Sequence, residues 1–248
     1  MSSYLEKLVA RIAQTRSSLC VGLDVRAESA DEARAFIKDV IEQTAPYAAA
    51  FKPNAAYFEA LGWQGMKLLE ELRGMIPAEI PLLLDVKRGD IGETQRYYAK
   101  ACFDVINADA VTLNPFMGRD TLEPFLEYSE RGFYLLGVTS NPGARDIETQ
   151  RVGDKHVFEL VAEMLKGASQ GGLVVGLTNA GDVLDRIPDV PLLIPGLGAQ
   201  GGDVAALQGS GRKAPALINV SRGILYAEPG KSFAEKAEHW MKVINGEA

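Results

Sequence analysis

Two periodicities alternate along the chain. Short runs of apolar, often β-branched residues read as buried strands, and longer stretches with a 3.6-residue apolar repeat read as amphipathic helices. The pattern predicts strands at Leu19–Leu23, Ala48–Lys52, Leu82–Val86, Ala110–Leu113, Phe133–Val138, Leu173–Gly176, Leu192–Ile194 and Leu217–Val220. It predicts helices across Asp31–Thr44, up to Gly74 with Met66, Leu68, Leu69 and Leu72 on the apolar side, and across Glu93–Ile106. Further helices are expected near Thr121–Glu130 and at Lys155–Lys166, Gly181–Ile187, Val204–Gln208 and Phe233–Ile244.

Strict alternation of strand and helix implies a parallel sheet with helices packed outside it. Eight units with no break in composition predict an α/β protein of one domain, residues 1–248, folded as a (β/α)8 TIM barrel rather than a doubly wound open sheet. Eight units in 248 residues average 31 each, the size of one strand-plus-helix step. The longest polar connection, Thr139–Asp154, follows the fifth strand; a connection of that length is often a functional lid and otherwise a surface excursion.

Charge removes some partners. Lys plus Arg number 26 against 33 Asp plus Glu, a net charge of −7, with no basic tract. A nucleic-acid polymer or an anionic membrane surface is therefore not an expected partner. The start of the chain lacks the apolar segment of a signal peptide, and no apolar run approaches the length of a membrane span. Cys20 and Cys102 sit in apolar surroundings and read as buried free thiols, which fits a cytoplasmic protein.

Barrels of this kind carry their chemistry at the C-terminal ends of the strands. Those ends read Asp24, Lys52, Asp85 with Lys87, Asn114, Ser140, Thr178, Pro195 with Gly196, and Ser221 with Arg222. The densest segment is Asp85-Val86-Lys87-Arg88-Gly89-Asp90-Ile91. Side chains alternate along a strand, so Asp85 and Lys87 are expected to point together towards the barrel mouth. On the bland reading they are a structural ion pair, Asp90 caps the next helix, and Lys52 is a rim lysine. Together, Lys52, Asp85, Lys87 and Asp90 make an alternating charged array that would favour a protonated Lys87. Such an ammonium can donate a proton to a carbanion, whereas a Schiff base needs the neutral amine.

A second cluster is Pro195-Gly196-Leu197-Gly198-Ala199-Gln200-Gly201-Gly202-Asp203, followed by Asn219-Val220-Ser221-Arg222-Gly223. Glycine-rich ends of two consecutive late strands read as a phosphate site, with backbone N–H groups and Arg222 as donors. The alternative is two tight turns and a surface arginine. Gly196, Gly198 and Gly201 also match a dinucleotide fingerprint, but that turn belongs on a first strand, and six units precede it here. His156 and His239 fall on predicted helices away from strand ends. No histidine-rich metal site can be built from two histidines, while an all-oxygen Mg²⁺ site around Asp85 stays open.

The segment Asp85-x-Lys87-x-x-Asp90-Ile91 resembles the signature of orotidine 5′-monophosphate decarboxylases. Phe51-Lys52-Pro53-Asn54, Arg88-Gly89-Asp90-Ile91-Gly92-Glu93-Thr94, Thr112-Leu113-Asn114-Pro115-Phe116, Thr139-Ser140-Asn141-Pro142-Gly143-Ala144 and the two glycine-bearing segments resemble the bacterial branch of that family. The resemblance implies decarboxylation of orotidine 5′-monophosphate to uridine 5′-monophosphate, without organic cofactor or metal. Lys52, Asp85 and Lys87 would form the charged array at the substrate's carboxylate, with Lys87 protonating the C6 carbanion. Asp90 and Thr94 would reach into the neighbouring subunit's site, which implies a homodimer. Asp24 would bind ribose hydroxyls, Ser140 the pyrimidine, and Gln200 would bridge phosphate loop and ring. Asn54, Ile91, Asn114 and Pro195 would complete the substrate contacts, and Gly198, Gly201, Ser221 and Arg222 would hold phosphate. Where many relatives have glycine before that arginine, this chain has Ser221, a change that keeps the backbone N–H. Two other readings share these residues: a Mg²⁺-dependent sugar-phosphate decarboxylase or aldolase of the same suprafamily, and a non-catalytic nucleotide-binding barrel.

Overall fold

The computed structural model describes residues 2–177, 182–196 and 202–247. Its strands are β1 (Leu19–Gly22), β2 (Ala50–Lys52), β3 (Leu83–Arg88), β4 (Ala110–Leu113), β5 (Gly132–Val138), a hairpin of β6 (Arg151–Val152) and β7 (Lys155–His156), then β8 (Gly171–Val175), β9 (Leu192–Pro195) and β10 (Ala216–Val220). Apart from the hairpin they form one eight-stranded sheet in the order β2-β1-β10-β9-β8-β5-β4-β3, with every pairing parallel. The two ends of that order meet. Phe51 N donates to Pro81 O at 3.0 Å and Asp85 N to Pro53 O at 2.9 Å, bringing β2 against β3 and closing the barrel.

The helices are α1 (Tyr4–Thr15), α2 (Ala30–Thr44), α3 (Ala55–Glu59), α4 (Gly62–Met75), α5 (Gly92–Lys100), α6 (Glu123–Leu126), α7 (Val157–Glu163), α8 (Val183–Arg186), α9 (Gly202–Gly209), α10 (Arg222–Leu225) and α11 (Phe233–Asn245). The expected eight-fold alternation is present, with departures. The helix expected through Ile106 leaves the α form at Ala101, where a π-helical turn runs to Val105. The connection after β5 is not irregular throughout; it holds a 3-10 turn at Pro142–Asp146 and the hairpin, turning at Gly153 with φ +68°. The hairpin takes Lys155 and His156 from the expected start of α7.

An extra helix, α1, precedes β1, where no element was expected. Ser3 and Glu6 form a capping box at its start, so two otherwise unpaired N–H groups are satisfied. Its buried residues Tyr4, Leu8 and Arg11 fall one turn apart on one face. That face closes the N-terminal end of the barrel. Tyr4 packs on the start of β5, where a Cβ at Gly132 would lie 2.1 Å from the Tyr4 ring. The Tyr4 hydroxyl is hydrogen-bonded to that of Tyr134 at 2.8 Å inside the barrel. Arg11 donates from Nε to the Ala48 carbonyl at 3.0 Å, just before β2.

Apolar burial divides into a shell between strands and helices and a plug inside the barrel. Each strand sends one residue to the plug: Cys20, Ala50, Leu83, Ala110, Tyr134, Val174, Leu193 and Leu217. A strand's period of two then dictates the next inward positions, two residues further on. These are Gly22, Lys52, Asp85, Thr112, Leu136, Gly176, Pro195 and Asn219. Polar side chains thus enter the barrel interior one step above the plug, at Lys52, Asp85, Thr112 and Asn219, beside Gly22, Leu136, Gly176 and Pro195.

Candidate active site

A cavity of about 320 Å³ opens above that polar step, lined by Asp24, Lys52, Asn54, Asp85, Pro195, Gly196, Asn219, Val220, Ser221, Arg222, Gly223 and Trp240. A larger one, about 950 Å³, lies at the α1 end near Lys7, Arg73, Asp109 and Arg131. Its charges are spent on each other and on the backbone: Lys7 and Arg73 both reach Asp109 at 2.9 Å, and Arg73 also donates to three carbonyls. The smaller cavity holds the groups with chemistry to offer.

Lys52 is 4% exposed and its Nζ donates to Asp85 Oδ2 at 3.0 Å. Lys87 reaches Asp85 Oδ1 at 2.5 Å from the other side, with its side chain 46% exposed. One carboxylate therefore joins a buried ammonium to an accessible one. Burial alone would raise the Asp85 carboxyl, but the two ammonium groups outweigh it and hold it well below the usual carboxylate range. Burial likewise disfavours the charge on Lys52, yet Asp85 and Asp24 hold it above the usual lysine range. Burial pushes the Cys20 thiol, one step below, up to about 12, so it offers no nucleophile.

The expected alternation brings Asp85 and Lys87 together, but by an irregular route. β3 advances from Leu84 to Arg88 while β4 advances only from Val111 to Leu113. Lys87 sits in this bulge with φ +47°, the left-handed region, which costs a non-glycine residue about 1–2 kcal/mol. The strand rejoins its neighbour at Arg88, and at the next residue, Gly89, a Cβ would lie 2.8 Å from the Asn114 carbonyl oxygen.

Asp90 does not join the array. Its Oδ1 accepts from Ile91 N at 2.8 Å, and Ile91, not Asp90, is the N-cap of α5. Thr94 and Ile91 are exposed on the outer side of the same connection. Asn114 and Ser140 also stand outside the cavity; Asn114 Oδ1 accepts from Phe116 N at 3.0 Å and shapes the turn after β4. Asp24 lines the cavity, with Oδ1 buried and without a hydrogen bond among the described residues. Asn54 lines it while capping α3 through Ala56 N at 3.1 Å. Pro195, Ser221 and Arg222 also line the cavity. Gly198, Gln200, Gly201 and Thr178 lie outside the described residues.

Three groups that received no role from the sequence stand in or beside the site. Asn219 lies inward on β10 and donates to Ser221 Oγ at 3.3 Å. Trp240 of α11 lines the cavity against Gly223, where a Cβ would lie 2.6 Å from the indole Nε1. Thr112 lies inward on β4 and donates to Asp85 Oδ1 at 2.8 Å. For Asn219 and Thr112 the readable signal was the period of two counted upward from the apolar plug. No local pattern marks Trp240, which arrives from a distant helix. Among the described residues no three His, Cys, Asp or Glu side chains gather as a metal site. Asp85, around which the sequence left an all-oxygen Mg²⁺ site open, accepts hydrogen bonds on both oxygens.

Comparison with known proteins finds relatives along nearly the whole chain. Residues 17–237 match the model of the orotidine 5′-phosphate decarboxylase / HUMPS family. The chain is 41% identical to an orotidine 5′-phosphate decarboxylase of Herpetosiphon aurantiacus over 94% of its own length and 93% of the relative's. It is 40% identical to one of Dehalococcoides mccartyi over 98% and 97%. Among solved structures, the Leishmania donovani OMP decarboxylase superposes with a TM-score of 0.90 at 40% identity, covering 99% of this chain and 98% of that one.

Proposed function

The chain belongs to the orotidine 5′-phosphate decarboxylase / HUMPS family, and from that premise we propose how its residues convert orotidine 5′-monophosphate to uridine 5′-monophosphate and CO2 for pyrimidine biosynthesis. The observation that carries the reading is that Lys52 and Asp85, the latter bonded to Lys87, line one cavity with the β9 and β10 ends. Loss of CO2 from C6 leaves an electron pair in the plane of the pyrimidine, where the ring π-system cannot delocalise it. Stabilisation must come from fixed charge. The Lys87 ammonium stands beside the developing carbanion and then transfers a proton to C6. Asp85 faces the departing carboxylate. Two like charges about 4 Å apart at an effective dielectric of ~20 repel by about 4 kcal/mol, and that repulsion is relieved as CO2 leaves.

Phosphate binding is assigned to Arg222 and Ser221 at the end of β10 and, from the sequence, to Gly198 and Gly201. Asp24 offers its buried, unpartnered oxygen to ribose hydroxyls. Ring and ribose contacts are assigned to Asn54 and Pro195, which line the cavity, and from the family resemblance to Ile91, Asn114, Ser140 and Gln200. Binding free energy from the distant phosphate orders these groups before the chemical step. The reaction needs no cofactor. Incubation with orotidine 5′-monophosphate in EDTA should give the loss of pyrimidine absorbance that marks uridine 5′-monophosphate. Failure to turn over overturns the reading, and turnover that requires added Mg²⁺ favours the sugar-phosphate branch of the suprafamily.

We further propose a homodimer in the cytoplasm. Exposed Ile91, Tyr97, Phe116 and Met117 lie on the consecutive connections after β3 and β4, as suits a face covered by a second copy. Asp90 and Thr94 lie on the first of these connections and would complete the partner's site. Both cysteines are free and buried, as in a reducing compartment, and no helix among the described residues is long and apolar enough to cross a membrane. Subunit mixing tests the shared site. Lys87→Ala and Asp90→Ala should each be inactive alone, and random mixed dimers should regain about a quarter of wild-type activity, because one of two sites in half the dimers is intact. No recovery after verified exchange would show that Asp90 acts within its own subunit.

A further inference from the structure

Building on the decarboxylase reading, we propose that Thr112 is a positioning residue, whose hydroxyl holds the β3 bulge in the conformation from which Lys87 reaches Asp85. Thr112 is 1% exposed and follows Ala110 on the inward face of β4. A threonine hydroxyl has one hydrogen to donate and two lone pairs to accept with. All three are used on one short segment. Oγ1 donates to Asp85 Oδ1 at 2.8 Å and accepts from Val86 N and Lys87 N, each at 3.0 Å.

Those two acceptor bonds stand where the regular ladder is missing. Between the Leu84–Val111 and Arg88–Leu113 pairs, β3 carries more residues than β4 can match. Its N–H groups there have no carbonyl in register, so the Thr112 oxygen takes the place of a ladder acceptor. The backbone conformation it secures is the one with Lys87 at φ +47°. The same atom donates to the carboxylate oxygen that receives Lys87 Nζ. A single hydroxyl thus fixes both partners of the pair, one through its backbone and one through its side chain. Val cannot do this although it matches Thr in shape; Ser can, although it lacks the methyl group.

The test compares Thr112→Val and Thr112→Ser with the wild-type full-length chain on orotidine 5′-monophosphate. Misplaced charge should slow the chemical step more than it weakens binding. The expected result for Thr112→Val is a kcat lower by about 10–100-fold with KM within about threefold. Thr112→Ser should retain kcat within about threefold of wild type. Equal kcat for valine variant and wild type overturns the inference, as does a serine variant as impaired as the valine one, since packing and not the hydroxyl would then matter. If Thr112→Val does not fold, Thr112→Cys, with its weak hydrogen-bonding thiol, replaces it under the same criterion. An inactive wild type would instead overturn the decarboxylase reading itself.

Discussion

Lys87→Ala should abolish decarboxylation, lowering kcat by about a thousandfold or more, while the affinity for uridine 5′-monophosphate should fall far less. Lys87 is assigned the developing negative charge at C6 and the proton that quenches it, and no second group can supply both. Lys52 is buried and already committed to Asp85. The variant should fold. The Lys87 side chain is half exposed, and Asp85 keeps its bonds from Lys52 and Thr112 when the second ammonium is gone. The groups proposed to hold the phosphate, Ser221 and Arg222, line the cavity and make no bond to Lys87 among the described residues. Calorimetric titration with the product and a single-turnover assay separate the two effects. Near-normal turnover by folded Lys87→Ala would remove Lys87 from the chemistry. Loss of product binding in proportion to kcat would make it a binding residue instead.

How much of this was legible in the sequence depends on which interaction sets each feature. The barrel strands were readable because burial on both faces leaves apolar runs bounded by turn residues, and such runs need no partner to be recognised. The charged array was readable because its members end neighbouring strands. Helix α1 buries only Tyr4, Leu8 and Arg11; its sequence signal is Ser3 and Glu6 at capping-box spacing. The bulge at Lys87 could not be read, since no glycine marks its positive φ. A hydroxyl on another strand, 25 residues away at Thr112, holds it. Asp90 shows the limit from the other side. Its spacing from Lys87 is unmistakable, yet within one chain it touches neither charge of the pair.

Asp85→Asn is the second large effect, and it acts on the fold as well as the chemistry. The amide has nearly the shape of the carboxylate but lacks the charge that compensates two ammonium groups, and its NH2 must face one of them. Lys52, 4% exposed, is left with Asp24 alone. Removing one partner of a buried ion pair costs about 3–5 kcal/mol, read as a lower urea midpoint, and kcat should fall with it. The dependence on pH identifies the cause. In the wild type the Asp85 carboxyl is held below its usual value, so its contribution is fully present above the unfolded pKa, about 4. That contribution is lost as pH falls through the lower folded value. Lys52 is held above its usual value, so its contribution is present below the unfolded lysine pKa and lost as pH rises through the folded one. In Asp85→Asn the acid-side contribution disappears. On the alkaline side the sign reverses: with its main counter-charge gone, burial favours neutral Lys52, the unfolded state binds more protons, and stability rises with pH. Urea midpoints from acid to alkaline pH for both proteins measure this crossing. Parallel curves, or a variant within about 1 kcal/mol of wild type throughout, would mean that Asp85 and Lys52 do not depend on each other's charge.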